Sequence, residues 1–314
     1  MNINRDIVDE ELFELIERIS TENEESIDCI NFNYPFPLFV FDENMEFVEV
    51  ISITDDQQFS SFLGNLIENY SISISYPISG TLSNGDLIEI NNNTELKEAI
   101  DACVKDEYQR RCNNTLRACV WEVVELDGYP VDFEGAYFKI NENYIAQFHL
   151  DNSIFFGTWT TLYIGEELHL NISLNAEEGI ESTWNFDWLV ALLSDDRIEL
   201  ENSDTRRRID KNCSIDCGLD SYQVCELESN PGFAEFILQN YTRCIPMPGT
   251  HDLVSATTIT FYETEEDALL GQNAVSNTIY TNTTNPQTIF IRVEDVESGD
   301  VLDIQELLIE AISC

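Results

Sequence analysis

Apolar and polar positions along this chain keep helical time at first, then switch to the two-residue period of strands. A helix is predicted from Glu10 to Ile19. Between 29 and 108 one pattern runs twice: Phe32-Asn-Tyr-Pro-Phe opens the first copy and Ile74-Ser-Tyr-Pro-Ile the second. Each Tyr-Pro leads into an apolar strand, a turn (Asp42-Glu-Asn, then Ser83-Asn-Gly-Asp) and a return strand, Phe47 to Ile53 and Leu87 to Ile90. Helix starts follow at Thr54-Asp-Asp-Gln-Gln-Phe and Asn92-Asn-Thr-Glu-Leu. There a side-chain oxygen can accept from orphan amides and first-turn acids suit the helix dipole. Phe59, Phe62, Leu63, Leu66 and Leu96, Ala99, Ile100, Cys103 continue at helical spacing. Two such ββα units are expected to pair their hairpins into one sheet with two helices on a face.

From 119 to 203 short strands dominate: Trp121 to Leu126, Ala136 to Ile140, Tyr144 to Leu150, Phe155 to Tyr163, Glu167 to Leu174, Trp184 to Leu193 and Arg197 to Leu200. Tight polar turns such as Asn141-Glu-Asn and Ser194-Asp-Asp join them, which predicts meandering antiparallel β, a small barrel or sandwich. Farther on, Thr258 to Tyr262 alternates as a strand, Glu263 to Gly271 is an acidic crossover, and the run from Tyr280 to Gln287 is turn chemistry. Thr288-Ile-Phe-Ile-Arg-Val returns as a strand.

Composition adds an extreme charge: 60 acidic against 15 basic side chains, a net −45 over 314 residues, with 43% hydrophobic residues. The apolar content suffices for ordinary cores. The charge argues against nucleic acid and anionic membranes as partners, since both would be repelled. No stretch approaches 18 apolar residues, so no membrane span is expected. Residues 1–28 lack the apolar core of a signal peptide, and the chain reads as a piece of something longer.

Nine cysteines form no Cys-x-x-Cys pair, and no histidine stands beside Cys213 and Cys217 to complete a zinc site. Disulfides of an exported protein are the better account. Cys29 and Cys103 bracket the repeat and are expected to join. Cys112 and Cys119 precede the strand-rich region; Cys213 and Cys217 follow it, so a bridge between the two pairs would stitch its ends. The same flanks hold Arg110, Arg111, Arg117 and Arg206, Arg207, Arg208, Lys211, expected to pair with acidic surfaces of neighbouring domains.

Three stretches carry resemblances. Phe261-Tyr-Glu-Thr with Asp267-Ala268, then Tyr280-Thr-Asn and Asn285-Pro-Gln-Thr-Ile-Phe-Ile-Arg-Val-Glu, resemble the repeated β-sandwich modules of large flavobacterial surface proteins. Those are the adhesins and gliding-motility-associated proteins exported by type IX secretion, and the resemblance covers roughly the last third of the chain. It implies an immunoglobulin-like β-sandwich at the cell surface. Trp121-Glu-Val-Val, Gly157-Thr-Trp-Thr and Asp187-Trp-Leu-Val are similar to lipocalin-like domains of Bacteroidota lipoproteins. The Tyr-Pro units are similar to those at the front of uncharacterised secreted flavobacterial proteins. The expected organisation is therefore a helical lead over 1–28, a ββα-repeat domain over 29–108, a lipocalin-like antiparallel β domain over 109–213 and an immunoglobulin-like module over 214–314. The fold class is mainly β, with an α+β N-terminal part.

Candidate chemistry is sparse. Relatives of the last module open with a Cys and an Asp-rich loop before Gly-Phe-Ala-x-Phe; here Cys225-Glu-Leu-Glu-Ser-Asn-Pro precedes Gly232-Phe-Ala-Glu-Phe. Glu226, Glu228 and Asn230 are what is left of a calcium loop, and a structural turn competes with that reading. His149 and His169 fall on the polar faces of their strands, which predicts surface positions. No nucleophile elbow, zinc-protease helix or phosphate loop occurs, and acids are too widespread to single out a hydrolytic pair. An enzyme is not expected, nor a cofactor other than calcium. Trp159, Trp184, Phe186 and Trp188 could make a carbohydrate platform or a lumen pocket, the last three expected on one strand face; the alternative is that they fill the core. The reading is a segment of a secreted surface protein with a structural or adhesive role, its partner an unknown extracellular ligand or neighbouring domains. Lipocalin-like binding of a small apolar ligand or carbohydrate by the middle domain and an acid-rich hydrolase are the rivals.

Overall fold

The computed structural model describes residues 5–20, 30–82, 85–129, 132–203, 205–215, 217, 219–245 and 256–314. The chain divides into two compact units, Met1–Arg111 and Cys112–Cys314, and it is mainly β, with helices between strands.

The first unit holds α1 (Glu10–Ser20), β1 (Ile30–Phe32), β2 (Phe36–Phe41), β3 (Phe47–Ile53), α2 (Asp56–Gly64), β4 (Ser71–Ile74), β5 (Ile78–Leu82), β6 (Leu87–Ile90) and most of α3 (Asn93–Arg117). The repeat does not make one sheet. It makes two three-stranded sheets, in the orders β3-β2-β4 and β1-β5-β6. The hairpins stay apart because each is flanked by the short strand that precedes the other copy's Tyr-Pro: β4 lies against β2, and β1 against β5. The two tyrosines do equivalent work. Tyr34 donates its hydroxyl proton to Asp56 Oδ1 at 2.5 Å, and Tyr76 donates to Asn93 Oδ1 at 2.8 Å, each reaching the first turn of the helix that follows. Reciprocal caps fix both helix starts: the Gln58 N–H donates to Asp55 while the Thr54 N–H donates to Gln58, and Glu95 exchanges the same bonds with Asn92 and Asn91. Leu12 and Ile16 of α1 join Phe36, Leu38, Phe59 and Ile100 in one core.

The second unit begins in the last turns of α3. Then follow β7 (Val120–Val124), β8 (Tyr137–Ile140), β9 (Ile145–Leu150), β10 (Ser153–Ile164), β11 (Glu167–Leu174), α4 (Glu178–Trp184), β12 (Asp187–Leu193), β13 (Arg197–Asn202) and β14 (Thr205–Asn212). Each strand pairs antiparallel with the next, and β14 returns to β7, so eight strands close an up-and-down barrel. Closure leaves these strands no free edge. The eighth strand, Thr205-Arg-Arg-Arg-Ile-Asp-Lys-Asn, lies where only a basic flank was expected; Arg207 and Ile209 alternate inward and are buried.

The rest of this unit is β15 (Tyr222–Cys225), β16 (Glu235–Phe236), α5 (Leu238–Tyr241), a 3-10 turn at Thr242–Cys244, β17 (Ala256–Tyr262), α6 (Glu265–Leu270), β18 (Tyr280–Thr281), β19 (Gln287–Asp295) and β20 (Val301–Ile312). Strands β17, β19, β20 and β15 extend the sheet beyond β10, with β15 parallel to β20. Their inner face, with Ile259, Phe261, Ile289, Ile291 and Ile309, packs with Phe236 of the small β16–β18 sheet and with Leu238, a lopsided sandwich. Arg292 donates to the Ala268 and Leu269 carbonyls at the end of α6, a cation where the helix dipole favours one.

Strand β10 belongs to both parts. Gly157 to Ile164 pair with β11 and close the barrel, whereas Ser153 to Phe155 pair with β17 of the sandwich. Alternation then serves two cores at once: Phe155 and Trp159 face the barrel interior, Ile154 and Phe156 the sandwich.

Candidate functional site at the barrel and its junction

The barrel interior is filled. Trp121, Trp184, Trp188, Phe138 and Phe148 are all under 2% exposed, and the Trp184 ring meets Phe138 at 4.8 Å and Phe148 and Trp188 at 6.0 Å. Three of the indoles are spent on backbone: Trp121 donates to the Leu116 carbonyl, Trp159 to Asn141 and Trp188 to Trp184. The expected row of Trp184, Phe186 and Trp188 is not a strand face. Trp184 ends α4, because Glu178–Trp184 turn as a helix, and β12 starts only at Asp187. Trp159, Trp184 and Trp188 therefore lie inside, and Phe186, 40% exposed, is the member of the set that reaches solvent. Two clefts flank α4 at this barrel mouth. One of about 250 Å³ is bordered by Phe133, Leu150, Phe155 and Ile180; the other, of about 230 Å³, lies under Phe186.

On the outside of β8 and β9, Tyr137, Lys139, Gln147 and His149 form a face that alternation assigns to solvent. His149 is instead 3% exposed, because the module's Thr242–Ile245 segment covers that face. Tyr137 bonds Thr242 through their hydroxyls at 2.5 Å, and Lys139 donates to the Arg243 carbonyl at 2.6 Å. The Arg243 guanidinium stands 5.0 Å over the Tyr137 ring and 3.6 Å from Glu122. His149 stacks on Tyr137 at 4.4 Å. Burial, helped by Lys139 and Arg243, holds its pKa well below the ordinary imidazole value. Desolvation likewise lowers Lys139, and it pushes Tyr137 up to about 12. Among the described residues, His149 Nδ1 and Arg243 Nε and Nη1 have no hydrogen-bond partner. His169, also expected at the surface, has a side chain only 14% exposed, with Glu167 at 4.0 Å.

Three disulfides lie among the described residues. Cys119–Cys213 ties the start of β7 to the end of β14, Cys225–Cys314 ties β15 to the end of β20, and Cys217–Cys244 joins the segment after the barrel to the 3-10 turn at the junction. The expected flank-to-flank bridging thus occurs through Cys119 and Cys213, while Cys217 goes elsewhere. Cys112, expected in a bridge, is a free thiol: it sits on the inner side of α3 one turn before Leu116, in the barrel core, and burial pushes its pKa up to about 12. Cys103 is disulfide-bonded; its expected partner Cys29 lies outside the described residues.

Four of the flank arginines have acidic partners close by in the chain or sheet. Arg110 meets Glu107, Arg206 meets Glu201 across the β13–β14 turn, Arg207 meets Asp132 and Arg208 meets Asp210. In the loop after Cys225, Glu226 Oε2 accepts the Gly232 N–H at 2.8 Å, and Leu227 and Asn230 close a tight turn. Glu228 and Asn230 are exposed there. No cluster of three or more His, Cys, Asp or Glu suited to a metal occurs among the described residues.

The architecture defines a disulfide-bearing β module fastened to a closed eight-stranded barrel. Residues 221–313 are similar to a family described as the Flavobacterium inter-domain disulphide bond domain. No curated protein and no solved structure matches the chain. The match and the three disulfides fit a flavobacterial protein and a secreted structural domain. No described helix is long and apolar enough to cross a membrane.

Proposed function

We propose that this chain is a non-enzymatic segment of a secreted flavobacterial surface protein, in which the C-terminal module locks the barrel into a rigid element that presents or adheres. The observation that carries the reading is the Cys217–Cys244 bond, one cysteine outside the matched 221–313 and the other inside it, beside the buried Tyr137–Arg243 junction. A bond of this placement does for the two parts what the family's description says. The packed lumen and the indole N–H groups given to backbone carbonyls suit a spacer better than a carrier of small apolar ligands. Calcium acts on stability through the acidic surface.

Protease shaving of intact flavobacterial cells tests this. The expected result is release of fragments from the cell exterior, with Cys217 and Cys244 recovered as one cross-linked peptide pair. Recovery only from the lysed interior, with those cysteines open to thiol labelling, would overturn the proposal.

A further inference from the structure

The cleft under Phe186 has features that a spacer does not need. We infer that it binds a neutral saccharide, one ring at a time, with Phe186 as the stacking platform. This goes beyond the structural role above and does not depend on it.

The ring is presented and held. Phe186 is 40% exposed, and its edge-to-face contact with the fully buried Trp188, at 5.5 Å and 88°, fixes it from below. Trp188 is in turn anchored by its N–H bond to the Trp184 carbonyl at 2.9 Å. A rigid aromatic face with one side in solvent suits the C–H face of a pyranose, which is apolar where its hydroxyls are not.

Around the ring stand hydrogen-bonding groups with capacity left over. Asn202 accepts from Ser203 through Oδ1 at 3.2 Å, and its amide N–H groups make no hydrogen bond among the described residues. Neither does the Thr205 hydroxyl. Arg207 holds Asp132 Oδ2 at 2.9 Å, which leaves Oδ1 as an acceptor fixed in place. Thr183 already donates to the Gly179 carbonyl at 2.8 Å, so its oxygen is left to accept. Donors and acceptors of both kinds within one cleft match the hydroxyls of a sugar, each of which does both.

Size and charge narrow the class. A volume of about 230 Å³ is below that of drug-sized pockets, ~300–1,000 Å³, and suits a single hexose ring. Arg207 is neutralised by Asp132, and the chain carries −45, so a uronate or sulfated sugar meets repulsion, with no free cation among the described residues of the cleft to offset it. A neutral hexoside is the fit.

The test is titration of the full chain with the methyl glycosides of glucose, galactose, mannose and N-acetylglucosamine, with the methyl glycoside of galacturonic acid, its carboxylate free, as the charged control. Saturation-transfer NMR and tryptophan fluorescence read binding. At least one neutral glycoside should bind with a millimolar Kd. Phe186→Ala, at an exposed position, should weaken it about tenfold or more, and Asn202→Ala several-fold, with the fluorescence of the free proteins otherwise preserved. The inference fails if no neutral glycoside binds at about 50 mM, if binding survives both substitutions unchanged, or if galacturonate binds as well as the neutral sugars.

Discussion

His149 carries much of what single residues contribute to the junction. It sits between Tyr137, Gln147 and Lys139 of the barrel and Thr242 and Arg243 of the module, with Glu122 the nearby acid paired to Arg243. In the unfolded chain its ring takes a proton near pH 6.5; in the fold burial and two cations hold the pKa well below that. Above that pH both states carry a neutral ring and nothing is gained or lost. Below it only the unfolded chain binds the proton, so stability falls by up to about 1.4 kcal/mol per pH unit until the folded-state pKa is reached. The urea midpoint should therefore fall more steeply from pH 7 to pH 5 in the native chain than in His149→Gln; parallel slopes would place the imidazole in contact with water. Alternation places His149 on the polar side of its strand with Gln147, and there it is, though buried. What strand periodicity cannot convey is that a second part of the chain covers that face. Cys112 misled for a related reason: its inward position appears only once α3 is known to run on to Arg117.

Among the elements, β10 decides how the second unit is built. Its first residues leave β11 and take β17, and Gly157 stands at the crossing. A Cβ there would lie 2.1 Å from the Ser173 carbonyl oxygen and 2.6 Å from Leu174 Cα, both backbone atoms that cannot swing aside. Gly157→Ala should destabilise the barrel by about 1–3 kcal/mol or more, as overpacking does; denaturation followed by tryptophan fluorescence measures it, and an unchanged midpoint would mean β11 does not approach so closely. Most barrel strands were legible, because their apolar positions alternate cleanly between turns. Strand β14 was not, since three successive arginines hide the inward place of Arg207, whose charge is met by Asp132. Nor was α4, a seven-residue helix in a stretch that also alternates. In the first unit the repeat was plain, but β1 and β4 are short, and they are what divides it into two sheets.

For the whole molecule the dominant fact is a net charge of −45. Carboxylate repulsion opposes the compact state, and salt screens it, the Debye length shrinking to roughly 10 Å at 0.1 M. The melting temperature should rise by several degrees between about 10 mM and about 0.5 M sodium chloride, with a further modest rise on adding calcium. Indifference to both salts would show the charges too dispersed to matter. The mainly β class was legible from the sequence; the union of barrel and module was not, because it rests on a strand shared between two sheets and on a junction whose partners lie about a hundred residues apart. Its disulfides add to it: by chain entropy the 27-residue span of Cys217–Cys244 contributes about 3–4 kcal/mol. The central claim is that barrel and module unfold as one. All four tryptophans lie between 121 and 188, in the barrel, so their fluorescence is blind to the module. Urea unfolding of the oxidised chain should give a fluorescence midpoint that coincides with the loss of hydrogen-exchange protection in β19, and the two should separate in Cys217→Ser/Cys244→Ser. Separate midpoints in the native, oxidised chain would contradict the account.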